Sequence, residues 1–221
     1  MSTLLLRFAA PLQAWGTESK YDIRKTDREP SKSGIVGFLA AALGRKRDES
    51  VEDLNALRVG VRADQEGEII QDFHMVHNDE KTSSLTRRYY LSEAVFVVGV
   101  ESEDDAVLQK LVDAVKNPVF PLFLGRRSCP PCGPIVLGIR EFDLETALDK
   151  EPWQIPEWRR KRETSVPCLR KVIESDSGGV VRKDRAISFS PYHREYGYRG
   201  VKESLCCPQL TETTHDPMVE L

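Results

Sequence analysis

The stretch 89–117 changes its hydrophobic period once, and that change limits the folds open to the chain. Residues 89–102, YYLSEAVFVVGVES, are rich in valine and aromatics and read as a buried strand. Residues 103–117, EDDAVLQKLVDAVKN, place Val107, Leu108, Leu111, Val112 and Val115 on one helical stripe, with acids in the first turn. A strand feeding an amphipathic helix is half of a strand–helix–strand unit, and PIVLGIREF (134–142) supplies a strand to complete it.

The same logic applies upstream. TLLLRFAAPL (3–12) reads as a short buried strand closed by Pro11, and a polar, charge-mixed loop follows to Glu29. In PSKSGIVGFLAAALG (30–44), Ser31 suits an N-cap, the middle is rich in alanine and leucine, and Gly44 suits a stop. This helix is apolar nearly all round and is expected to lie under a sheet. RVGVRAD (58–64) alternates as a half-buried strand, and IIQDFHMV (69–76) is expected to return as its partner across QEGE. HNDEKTSSLTRR (77–88) has little apolar content and is expected to form an exposed hairpin or loop. The order predicts an α+β fold, a ferredoxin-like βαββαβ domain with an extra hairpin in its middle.

After Asp143 the character changes. EPWQIPEWRRKRE (151–163) resembles a surface linker, and VPCLRKVIES and VVRKDRAISF, flanking DSGG, predict a small two-stranded β-ribbon before a polar tail from Pro208. The expected division is therefore 1–143 and 144–221. The net charge of −3 conceals a gradient: residues 157–202 carry twelve Lys/Arg against six Asp/Glu, so the remainder is at −9. Such segregation suits one polyanion-binding face beside faces for protein contacts. The longest apolar run, 34–44, falls short of the roughly 20 residues of a membrane-spanning helix. The chain is read as soluble and cytoplasmic, without membrane contact, and its five cysteines as reduced thiols rather than a disulfide framework.

Cys129-Pro-Pro-Cys132 has the spacing of a zinc or thiol–disulfide motif. Zinc wants four ligands, however, and Cys206 and Cys207 are adjacent rather than spaced as a second pair. Pro130, Pro131 and Pro134 also oppose the helix that would activate a redox thiol. No metal or cofactor is expected; a zinc or redox protein using Cys129 and Cys132 is the weakest functional reading. Gly125-Arg126-Arg127 offers a tight turn presenting two guanidinium groups, and Lys32-Ser33-Gly34 opens a helix whose free N–H groups suit an anion. For metal-independent RNA cleavage, His193, His74 and Tyr196 are the candidates for proton transfer. Basic residues interleaved with tyrosines around His193 equally suit passive RNA stacking.

Four ordered motifs, LRFAAPLQAWG (6–16), REPSKSGIVGFLAAALG (28–44), YYLSEAVFV (89–97) and PLFLGRRSCP (121–130), resemble those of the family-five CRISPR-associated proteins of the RAMP superfamily, above all its CasD-type members. The likeness is thinner beyond Asp143, where it rests on ISFSPYHREYGYRGV (187–201). It implies an RRM-like ferredoxin fold with a thumb-like β-hairpin inserted at about 70–90. It implies a noncatalytic subunit of the Cascade surveillance complex that binds and caps the 5′ handle of the CRISPR RNA in antiviral defence. The implied partners are that RNA, a CasC-type backbone subunit and a CasA-type large subunit; processing of precursor RNA, as some relatives perform, is the alternative. Carried over by position, the expected RNA-binding residues are Gln13, Trp15 and Gly16 after the first strand; Lys32, Ser33 and Gly34 at the helix start; and Gly125, Arg126, Arg127 and Ser128 in the glycine loop. Arg24 and Lys25, with Arg87 and Arg88, complete the set. Cys129 belongs to the family pattern and Cys132 does not.

Overall fold

A computed structural model describes residues 1–16, 22–79, 82–161 and 167–208. The expected acidic tail beyond Pro208, and part of the expected linker, lie outside the described residues. In chain order the elements are β1 (Ser2–Ala9), β2 (Leu12–Gln13), β3 (Ile23–Arg24), α1 (Lys32–Ala42), α2 (Glu52–Asn55), β4 (Arg58–Gln65), β5 (Glu68–Asp79), β6 (Thr82–Ser92), β7 (Val95–Ser102) and α3 (Asp105–Lys116). They continue with β8 (Val136–Arg140), α4 (Leu144–Lys150), α5 (Glu157–Arg160), β9 (Leu169–Glu174), β10 (Val180–Phe189) and β11 (Arg194–Cys206).

The result is a mixed α+β fold built on a seven-stranded sheet in the order β10-β11-β9-β4-β7-β1-β8, with every neighbouring pair antiparallel. A smaller sheet joins β2, β3 and β5 to β6. Residues 4–6 of β1 are apolar at successive positions because both faces of the strand are covered: Leu4, Leu6 and Phe8 pack with α1 and α3, while Leu5 packs with Leu144 and Leu148 of α4. The stripe expected on α3 is its buried face at Leu108, Leu111, Val112 and Val115, with Val107 left partly exposed. Asp104 caps that helix, accepting from Ala106 N at 2.8 Å. No helix among the described residues is long and apolar enough to cross a membrane.

Two strand pairings differ from expectation. β5 does not return onto β4, whose neighbours are β7 and β9; it pairs with β6 and leaves the main sheet. Gly67 marks the departure, with φ +72° and an added Cβ only 2.4 Å from Ser92 O. The segments flanking DSGG do not pair with each other either, because β11 lies between β9 and β10. The turn crosses the middle of β11 at glycine: a Cβ on Gly179 would stand 2.3 Å from Val201 O, and one on Gly200 2.5 Å from Ser175 O. The basic C-terminal strands therefore extend the central sheet through the β4–β9 pair.

Candidate nucleic-acid interface

The interface is built on a frame of buried contacts behind it. Gln13 and Trp15 are fully buried. Gln13 Nε2 donates to Phe8 O (3.3 Å) and Ala94 O (2.6 Å), and Gln13 Oε1 accepts from Trp15 Nε1 at 3.1 Å. The Trp15 ring stacks on Phe8 with centroids 5.7 Å apart, and Gly34 lies against its edge, where a Cβ would come within 2.8 Å. Ser31 accepts from Gly34 N, and Ser33 shares a hydroxyl contact with Ser31. Lys32 is buried: its backbone N–H donates to Asp184 Oδ2 at 2.8 Å and its ammonium pairs with Glu174 at 2.7 Å. The chain's own Asp184 thus occupies the anion-binding end of α1, and Gln13, Trp15, Lys32 and Gly34 serve the frame rather than the surface.

The glycine loop rests on this frame. Gly125 has φ +87°, and a Cβ there would stand 1.7 Å from Ala14 O, so both the conformation and the contact demand glycine. Ala14 N donates to Leu124 O, Leu124 N to Cys129 O and Cys129 N to Arg126 O, closing a tight turn whose Cys129 side chain is buried. Burial pushes the Cys129 thiol up. Cys132 is exposed, with its backbone tied to Ala9 and Arg7. One thiol of the pair therefore belongs to the core and the other to the surface.

The turn points Arg126, Arg127 and Ser128 outward beside β3 and β6. Arg126 Nη2 donates to Arg24 O at 2.9 Å, and the guanidinium lies 4.6 Å from the centroid of Tyr90. Arg88 and Tyr90 are two residues apart on β6 and share a face. Burial would raise the Tyr90 phenol, but hydrogen bonds with Ser128, Arg126 and Arg88 hold it below its ordinary value. The parallel pairing of β3 with β6 sets Ile23 beside Arg87 and Arg24 beside Arg88. Arg24, Lys25, Arg87 and Arg127 are exposed around the cluster, and exposed Gly16 adjoins the frame.

A cleft of about 1270 Å³ opens next to this cluster, between the segment 22–31 and strands β9 to β11. Lys25, Arg28, Ser31, Arg170, Arg182, Lys183 and Tyr196 line it, opposed by Glu29, Glu66 and Asp184 among others. Four buried side-chain polar atoms lack a hydrogen-bond partner among the described residues, and three are guanidinium nitrogens: Arg88 Nε, Arg126 Nη1 and Arg170 Nη2. Burying such donors is costly unless a ligand meets them. Tyr90, Arg170 and Arg182 were missed from sequence. Tyr90 was detectable as the same-face neighbour of Arg88, whereas Arg170 and Arg182 depend on strand order.

The candidates for RNA cleavage do not share one place. His74 Nε2 contacts Asp72 Oδ2 at 2.6 Å on β5, in the smaller sheet. His193 Nε2 contacts Glu195 Oε2 at 3.1 Å at the exposed β10–β11 turn, and Tyr196 lines the cleft.

A family model described as CRISPR-associated protein (Cas_Cas5) matches residues 3–202, nearly the whole described chain. The chain belongs to the Cas5 family. Its relatives include the CRISPR system Cascade subunit CasD of Escherichia coli (strain K12), 35% identical over 161 residues that span 62% of this chain and 70% of that one. A solved structure described as a crystal structure of a Cas protein is 41% identical, with a TM-score of 0.74 over 93% of this chain and 95% of the other. A chain of a CRISPR RNA-guided surveillance complex is 28% identical, with a TM-score of 0.79 over 93% and 90%. This Cas5 chain is of the CasD type that its ordered motifs resemble.

Proposed function

We propose that this Cas5 protein is a noncatalytic Cascade subunit that holds the 5′ handle of the CRISPR RNA across the Arg88–Arg126 cluster. The observation that carries the reading is that Arg88, Arg126 and Arg170, at the cluster and in the cleft beside it, each keep one guanidinium nitrogen without a hydrogen-bond partner among the described residues. Phosphates satisfy such donors and supply affinity, while exposed bases gain specificity from stacking and edge contacts. Arg127, Arg87, Arg24 and Lys25 extend the positive surface around the cluster. The strand order β4-β7-β1-β8, with α1 and α3 as crossovers, supports a ferredoxin-like core for 1–143, and the β5–β6 hairpin is its thumb. Phe73, Met75 and Leu85 are exposed on that hairpin and suit contact with protein neighbours, for which CasC-type and CasA-type subunits are the candidates.

The separation of His74 on β5 from His193 at the β10–β11 turn, each paired with a carboxylate two residues away, favours binding over cleavage. The test is incubation of the purified chain with labelled repeat RNA in EDTA. The expected outcome is a retained, uncut RNA whose binding weakens in Arg88→Ala with Arg126→Ala. Specific cleavage lost in His193→Ala or His74→Ala would overturn the reading.

A further inference from the structure

β9 and β11 pair antiparallel with Leu169 opposite Cys206. One rung further out, Cys168 faces Cys207, and their sulfur atoms lie 2.6 Å apart. Both side chains are exposed, so an oxidant reaches them directly. Alternation along β11 separates the adjacent cysteines: Cys206 turns inward to Trp153, Ile155 and Leu169, and Cys207 turns outward to Cys168. Residues directly opposed across antiparallel strands bring their Cβ atoms to about 4.5–5.5 Å, and a small closure reaches the disulfide range of about 3.5–4.5 Å.

We propose that Cys168 and Cys207 form a reversible cross-strand disulfide that staples the open end of the β9–β11 pair and closes residues 168–207 into a covalent loop. The oxidant is a low-molecular-weight disulfide of the glutathione class. One cysteine thiolate attacks a glutathione sulfur, the glutathione S–S bond breaks and one glutathione leaves as a thiolate. The second cysteine thiolate then attacks the protein sulfur of the mixed disulfide, forming the Cys168–Cys207 bond and releasing the second glutathione. Two electrons pass from the cysteines to the oxidant, and the two cysteine protons end on the departing glutathiones. Hydrogen bonding to Cys168 raises the Cys207 thiol above its ordinary range, so the exchange speeds up as pH rises. The loop spans β9, β10 and β11, and crosslinking it restricts the unfolded chain.

The test equilibrates the full chain with oxidised glutathione at pH 8, quenches with acid, alkylates under denaturing conditions and maps tryptic peptides without reduction. The expected result is a link between peptides 163–170 and 203–221, with free thiols falling from five to three and returning with dithiothreitol. Fragmentation of the linked peptide places the second sulfur on Cys207, and Cys168→Ser or Cys207→Ser removes the link. The melting temperature of the oxidised chain rises by roughly 5–10 °C, a gain absent in Cys168→Ser. Five persistent thiols under conditions that oxidise a control dithiol, or a link carried by Cys206 or Cys132, would overturn the proposal.

Discussion

Arg62 on β4 is fully buried and donates each of its N–H groups to the protein, whereas Arg126 on the glycine loop is half-buried and leaves Nη1 without a partner. Arg62 forks onto Asp64 at 2.7 and 2.9 Å and reaches the carbonyls of Leu148, Glu151 and Pro152. Arg126 stacks on Tyr90, hydrogen-bonds its phenol and donates to the loop at Arg24 O and Lys25 O. The same guanidinium thus has two uses, and satisfaction of its donors distinguishes them better than burial or local charge does. Arg62 bolts α4 and the chain after it to the sheet. Arg126 is held in position at the surface with one nitrogen left unsatisfied, which is what the proposed anion site draws on.

The largest expected effect breaks the closed member of this comparison. Arg62→Met leaves Asp64 buried without its fork, and removing one partner of a buried ion pair costs about 3–5 kcal/mol. Chemical denaturation should show that loss, while RNA affinity per folded molecule stays near wild type. A stability change below about 1 kcal/mol would mean that burial of Arg62 is incidental.

Gly125→Ala comes next and tests what holds the open member in place. It forces a side chain into a left-handed backbone and into Ala14 O, at a cost of order 1–3 kcal/mol if the loop keeps its shape. Because Ala14 is buried in the frame, relief of the clash displaces the loop, Arg126 and Arg127 shift with it, and handle RNA binding should fall together with stability. Wild-type RNA affinity in Gly125→Ala would detach the glycine turn from the proposed site.

The sequence was informative where one local period decided the outcome. The β1 run, the caps of α1 and the stripe on α3 all depend on neighbours within a few residues. Pairing was hidden because it depends on distant partners: nothing within 69–76 says that β6 rather than β4 will receive it, and nothing in VVRKDRAISF says that β11 will intervene. The site divided in the same way. Gly125 and the arginines after it announce a tight turn presenting cations. Lys32 has the same local credentials at a helix start, and only the fold brings Asp184 and Glu174 across to consume them. A residue that looks available in sequence loses that availability when a distant strand carries its counter-charge.

The open member itself is probed by Arg88→Ala combined with Arg126→Ala. Folding stability should fall by only about 1–2 kcal/mol, since the pair gives up hydrogen bonds to Tyr90 and Arg24 O on half-buried side chains. Handle RNA affinity should fall about tenfold, or 1.4 kcal/mol. Loss of two phosphate contacts to a single strand should also flatten the dependence of log affinity on log salt by about 1.4. Fluorescence anisotropy across a salt series measures both. An unchanged slope with reduced affinity would indicate that these arginines touch bases or shape the loop instead of meeting phosphates.

The smallest effect is a change of slope, and it concerns the carboxylate that makes Lys32 unavailable. Burial by itself would raise the Asp184 pKa, but the Arg199 fork at 2.7 and 2.8 Å, together with the Lys32 N–H, holds it below the ordinary carboxylate value. The unfolded chain therefore takes up this proton more readily than the folded one. Its contribution to stability is complete above the ordinary carboxylate pKa of about 3.9 and is lost as pH falls through the depressed folded value. Asp184→Asn should flatten the acid side of the stability curve while lowering the neutral plateau, because the amide satisfies the Arg199 fork less well. If the slope of the variant below pH 4 matches wild type, Asp184 is not the carboxylate that fastens α1 to the C-terminal strands, and the helix start regains its claim as an anion site.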